Sequence, residues 1–180
     1  MKNTQPSSIQ KICIASLLLA TGIILPELFH IIGGSAMGGL FLPMHIPVFI
    51  AGLLLGRFYG TVVGAVTPII SFLLTGMPPA VILPFMILEL ISYGFLSGFM
   101  QSKNCNLYLS IVVAQIGGRA VNAAALLVAA YLLHLNVAPV TAVGTAVVLG
   151  IPGIVIQLFF VPMIVLLVRR VMHVDKFAES

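Results

Sequence analysis

Long apolar runs dominate this chain, and they decide its solvent before any motif is read. They cover 9–32, 40–56, 58–74, 79–100, 107–133 and 142–168. A helix needs about 20 apolar residues to cross the ~30 Å hydrocarbon core of a bilayer, and most of these runs reach that length. Only 7 % of residues are charged and 61 % are hydrophobic, whereas soluble domains carry about 25 % charge. So few charges cannot build a polar shell, which makes lipid the natural surroundings. A soluble enzyme, a nucleic-acid binder and a disulfide-stapled secreted domain are excluded. The runs do not alternate, which argues against a β-barrel. The expectation is an all-α integral membrane protein, a single domain over 1–180 with six transmembrane helices and both termini cytoplasmic. The second run carries Pro43 and Pro47 and has few clean helical residues before Gly56, so that helix is expected to be short or broken.

Punctuation and charge give the threading. The glycine-rich stretch 33–39 is read as the end of the first helix, and Arg57 joins the second run to the third. Gly76-Met77-Pro78-Pro79 is a turn signal, Gln101 to Asn104 is a polar break, and Arg169-Arg170 stops the last run. With the N-terminus cytoplasmic and six crossings, Lys2, Lys11, Arg57, Lys103, Arg169, Arg170 and Lys176 all fall inside, as the positive-inside rule requires. The net charge of +4 therefore marks topology and not nucleic-acid binding. The first run is too long for a cleaved signal peptide and lacks its small-residue cleavage site. Cys13 and Cys105 form neither a disulfide framework nor a metal-spaced pair.

One base escapes the topological pattern. Arg119 lies about twelve residues into the outward-running fifth run, and Glu89 lies about ten residues into the inward-running fourth. Counted from opposite faces they reach a similar depth, where an ionisable group costs a few kcal/mol and calls for a partner or a function. A Glu89–Arg119 pair reads either as a lock between two helices or as the edge of a ligand cavity. Gln115 at i−4 and Asn122 at i+3 share the Arg119 face, and Tyr93 at i+4 extends that of Glu89. This face points inward, to line a pocket or to bond helices together. Gln157, near Pro152-Gly153, is a further candidate. At the outer side, Glu27 and His30 form a lone E-x-x-H; a two-metal bundle needs that motif twice with more carboxylates, so no metal site is expected. They and His134 read as interfacial, wetted groups. His45, set between two prolines after the glycine-rich stretch, is placed near a cap over a pocket.

Small residues set the packing. Gly52, Gly56, Gly60 and Gly64 recur at every fourth position, Gly94 and Gly98 do the same in the fourth run, and Cys13, Ser16 and Ala20 share a face of the first. The chain has no G-x-x-x-x-G-K-[ST] loop, no H-E-x-x-H and no G-x-S-x-G, so neither ATP binding nor hydrolytic chemistry is indicated. No repeat relates its two halves.

Several motifs together carry a family resemblance. Leu42-Pro43-Met44-His45-Ile46-Pro47-Val48 is followed by Ala51-Gly52, Gly56, Tyr59-Gly60, Gly64, Thr67-Pro68 and Gly76-Met77-Pro78-Pro79. Then come Glu89, Tyr93-Gly94, Gly98 and Gly118-Arg119. Over nearly its whole length the chain resembles the substrate-binding (S) components of energy-coupling factor (ECF) vitamin transporters. The resemblance implies a subunit that captures a vitamin at the outer face, then releases it inward by toppling, driven by a transmembrane coupling protein and two cytoplasmic ATPases. ATP would be used by those partners, and this chain would bind no cofactor. A small-xxx-small element on the first helix, here Ser16 to Ala20, would dock the coupling protein. The pocket would lie in the outer half among helices four to six, which agrees with Glu89, Tyr93, Arg119, Asn122, Gln115 and Gln157. The nickel and cobalt branch binds metal through a free amino terminus and an adjacent histidine; position 2 here is Lys2 and His45 is internal, so that branch does not fit. Two other classes remain open: a small membrane enzyme acting on a lipid or isoprenoid, and a structural membrane subunit.

Overall fold

The computed structural model describes residues 7–132, 144 and 148–171. His134, the start of the sixth run at Ala142, the end of the fifth at Leu133, and Lys2 and Lys176 lie outside the described residues. The described residues form a bundle of six helices: α1 (Ser8–Phe41), α2 (His45–Leu55), α3 (Arg57–Thr75), α4 (Leu83–Ser102), α5 (Leu107–Leu127, continued by a π-helical turn Val128–Leu132) and α6 (Ile151–Val171). No strand occurs among the described residues. Among the described residues, five helices are long and apolar enough to cross a membrane.

The second crossing is broken, and the place of the break differs from the sequence reading. The glycine-rich stretch is not a loop. The backbone leaves helical geometry at Gly34 (φ 71°, ψ −175°) and is helical again up to Phe41. A left-handed φ costs glycine little, and backbone near lipid gains by bonding to itself. The chain also turns back there. Along a straight helix, residues 29 and 41 would lie about 18 Å apart, yet the Phe29 and Phe41 rings are 5.2 Å apart. Positions 40 and 41, expected to open the second helix, therefore close the returning end of α1.

Leu42, at φ 49°, ends that segment, and α2 starts at His45. Pro43 precedes the helix and Pro47 falls in its first turn, where a missing N–H costs little. At 11 residues, α2 covers about 16 Å, half the hydrocarbon thickness. It is also the most enclosed element: every residue from Pro47 to Leu55 is buried. Its C-terminal end meets α3 at Gly56 (φ 93°), and Arg169 of α6 donates to the Leu53 carbonyl at 3.0 Å.

Glycines let three helices meet at backbone distance. A Cβ added at Gly52 would lie 2.6 Å from the Gly94 carbonyl oxygen, and one at Gly60 would lie 2.5 Å from the same atom. One added at Gly64 would strike the Leu90 carbonyl. The four-residue spacing thus serves a three-way contact of α2 and α3 with α4, driven by close packing and not by the hydrophobic effect. The α4 helix starts at Leu83 and not at 79, because Pro79 to Ile82 form a turn in which Ile82 and Leu83 both donate to the Pro79 carbonyl.

Gly94→Val is expected to cost at least about 1–3 kcal/mol through overpacking, read as a lower unfolding temperature in detergent. Gly144→Ala, where no heavy atom comes within 4 Å of the added carbon, should leave that temperature unchanged.

Candidate functional site

The start of α2 lies at the level where α4, α5 and α6 carry their polar residues. Measured from the basic ends of their helices at 1.5 Å per residue, Tyr93, Glu89, Gln115, Arg119 and Gln157 all lie roughly 12–20 Å deep. Nothing repays a bare polar group at that depth, so each must find a partner within the protein.

Glu89 is the hub. Its Oε1 accepts from the Tyr93 hydroxyl at 2.5 Å and lies 3.0 Å from Arg119 Nη1. Its Oε2 accepts from Asn122 Nδ2 at 2.9 Å, and the same nitrogen reaches the Phe85 carbonyl at 3.5 Å. The spacings i, i+4 on α4 and i, i+3 on α5 put two side chains from each helix on the facing sides, so the pair closes across one interface. A charge-assisted cluster of this kind is stronger than neutral hydrogen bonds and fixes the helices in register.

A second set joins α5, α6 and the break. Gln115 Nε2 donates to Gln157 Oε1 at 2.9 Å, and Gln157 Nε2 donates to the Leu42 carbonyl at 3.4 Å. Leu42 also accepts from the His45 backbone N–H at 3.1 Å. The irregular backbone between α1 and α2 is thereby held by a side chain of α6, which is how non-helical chain persists at membrane depth. Gly153 makes room for it: a Cβ there would lie 2.7 Å from the Phe41 carbonyl.

His45 is the exception. It does not lie at an outer cap among wetted groups, as the sequence reading placed it. The return of the chain at Gly34 carries it inward, where it is 3 % exposed. Its ring packs on Tyr93 with centroids 5.2 Å apart, and Tyr93 packs in turn on Phe49 at 5.0 Å. Neither ring nitrogen makes a well-formed hydrogen bond, although the Leu42 backbone lies close to the ring. An unpartnered buried imidazole costs desolvation without return, and such a group is a mark of a site.

The structure thus brings Glu89, Tyr93, Arg119, Asn122 and His45 together, and links Gln115 to Gln157 beside the same break. Beside Asn122, between the N-terminal half of α4 and the C-terminal half of α5, lies an apolar groove of about 510 Å³ lined by Phe85, Leu88, Val121, Ala125 and Val128. The carbonyls of Leu42 and Phe85 were missed from sequence. Main-chain acceptors leave no residue-type signal, although the Leu42-Pro43 junction marks the first of them. Glu27 and His30 are 3.6 Å apart on α1, and no group of three or more metal-ligating side chains occurs among the described residues. On the first helix, Cys13 and Ser16 are exposed and Ala20 is half-buried.

A helical bundle with long apolar spans, one crossing broken at depth and a polar layer around the break is a multi-pass membrane protein of the transporter kind. The family model described as ECF transporter, substrate-specific component, matches residues 10–168, and the chain belongs to that family. It is accordingly a substrate-specific subunit of an ECF transporter, a family of transporter subunits whose members work with an ECF module on a small-molecule substrate. Comparison with curated proteins and with solved structures returned no match.

Glu89→Gln leaves Arg119 buried without its counter-charge and is expected to cost roughly 3 kcal/mol. The double variant Glu89→Gln with Arg119→Met should lose less than the two single changes summed, because it removes the stranded charge as well. Strictly additive losses in unfolding experiments would show the two side chains to be uncoupled.

Proposed function

We propose that this chain is the high-affinity capture subunit for a water-soluble vitamin or related small metabolite in the plasma membrane of a prokaryote. The observation that carries the reading is the polar layer at the broken crossing, with a buried histidine left unpartnered in its middle. Discontinuous helices in transporters are where substrates bind, because unwound backbone supplies polar groups at a depth that continuous helix denies them. The residues expected to surround the ligand are Glu89, Tyr93, Arg119, Asn122, Gln115, Gln157 and His45. The chain itself performs no covalent chemistry and holds no cofactor. Capture, loop closure and release would be powered by ATP hydrolysed in two cytoplasmic partner subunits and transmitted by a transmembrane coupling protein. The arginine favours a ligand with a carboxylate, a phosphate or several hydroxyls, leaving pantothenate, pyridoxine-type compounds, folate and cobalamin open.

The outward face of α1 supports the partner half of the reading. Cys13 and Ser16 lie exposed among Ile9, Ile12 and Leu17, a small-residue patch on an apolar helix that lets another helix approach.

Purified protein is expected to bind at least one member of a panel of B vitamins with submicromolar affinity; no binding across the panel would remove the reading. Arg119→Ala should weaken that binding about 100-fold or more, the value of a lost charge-assisted contact. Unchanged affinity would make Arg119 a structural lock. Ser16→Leu should leave binding intact and reduce uptake into cells carrying the whole transporter, and normal uptake would clear α1 of the docking role.

A further inference from the structure

We infer that the ligand meets this layer chiefly through Arg119 and His45, and that it is an organic acid and not an organic cation. The inference rests on the vitamin-capture reading above and narrows it.

A carboxylate offers about four lone-pair sites, and three of those on Glu89 are taken by Tyr93, Arg119 and Asn122. Gln115 and Gln157 are spent on each other and on the Leu42 carbonyl. Of the chain's four acidic residues, Glu27 lies beside His30 on α1, and Asp175 and Glu179 follow the end of α6 at Val171. Glu89 is therefore the carboxylate of this layer, and it is committed.

The donor side is not exhausted. Arg119 has five N–H donors in a planar fork, and the ion pair engages one terminal nitrogen. Its side chain is 18 % exposed, less enclosed than its partner. His45 adds a ring with one donor and one acceptor, neither in a well-formed hydrogen bond. The spare acceptors, on the Asn122 and Gln115 amides and the His45 ring, are neutral; what the layer lacks is a second anion to meet the spare N–H groups of Arg119.

The charge of a cationic ligand needs an anionic partner. To be bound here it would have to take Glu89 from three donors and leave Arg119 unpaired within the bundle, the expensive state for a buried charge. A carboxylate brings the missing anion and matches the arginine fork in its preferred two-point geometry. The His45 ring, backed by Tyr93 and Phe49, would then hydrogen-bond a second polar atom of the same molecule.

The test is calorimetric titration of the full-length protein with matched probes that differ only in the acid: nicotinate and nicotinamide, pantothenate and pantothenol, biotin and its primary amide, with thiamine as the cation. In the pair that binds, the acid is expected to bind at least tenfold more tightly than its neutral twin, and thiamine not at all. His45→Leu should weaken the acid at least tenfold. It should leave the unfolding temperature of the ligand-free protein unchanged or raised, because the wild-type ring has no well-formed hydrogen bond to lose. If that variant does not fold, His45→Phe keeps a ring against Tyr93 and serves the same purpose. Tighter binding of a neutral twin or of thiamine, or wild-type affinity in the folded histidine variant, overturns this inference and leaves vitamin capture intact. No binding by these probes or by any member of the B-vitamin panel removes both.

Discussion

A carboxyl group held at depth in an apolar bundle must be answered by donors, and the answer to Glu89 organises this protein. Arg119 supplies charge, Tyr93 a hydroxyl from one turn further along the same helix, and Asn122 an amide from the facing helix. These bonds fix the rotation of α4 against α5. They also fix Tyr93, whose ring forms one wall of the space that His45 occupies. Because Gly52, Gly60 and Gly64 press α2 and α3 onto the neighbouring face of α4, the orientation of that one helix passes to both of its neighbours. Close packing and buried polar bonding act here on adjoining faces of the same helix.

Much of this was legible in the residue order. The apolar runs announced the helices, and the depth of Glu89 and Arg119 was countable from opposite ends of two antiparallel runs. Their pairing follows from that count. The grouping of Gln115 with Asn122, and of Tyr93 with Glu89, follows from helical spacing alone. These are local periodicities, which a sequence displays directly.

What was not legible depended on where the backbone turns. A glycine-rich stretch signals freedom but not direction, and only the observed break at Gly34 returns the chain inward. His45 was placed near the outer surface because it follows the glycine-rich stretch read as the outer end of the first helix; the two neighbouring prolines serve equally well at the opening of a short helix. The role of α6 was likewise hidden. Gln157 was visible as a polar residue in an apolar run, but its partner is a main-chain carbonyl 115 positions away, and no side-chain pattern encodes such an acceptor.

The shortness of α2 has a consequence for how the chain enters the membrane at all. Eleven residues are too few to be retained as an independent span during synthesis, however apolar they are. The segment must enter together with a neighbour: α3, to which Gly56 joins it, or the returning end of α1. Its final environment, closed on every side by protein, forms only after α4 and α6 have been made. The element that carries His45 is therefore among the last to acquire its native surroundings. Errors of biogenesis in this protein should concentrate in a helix whose own composition gives no warning of them.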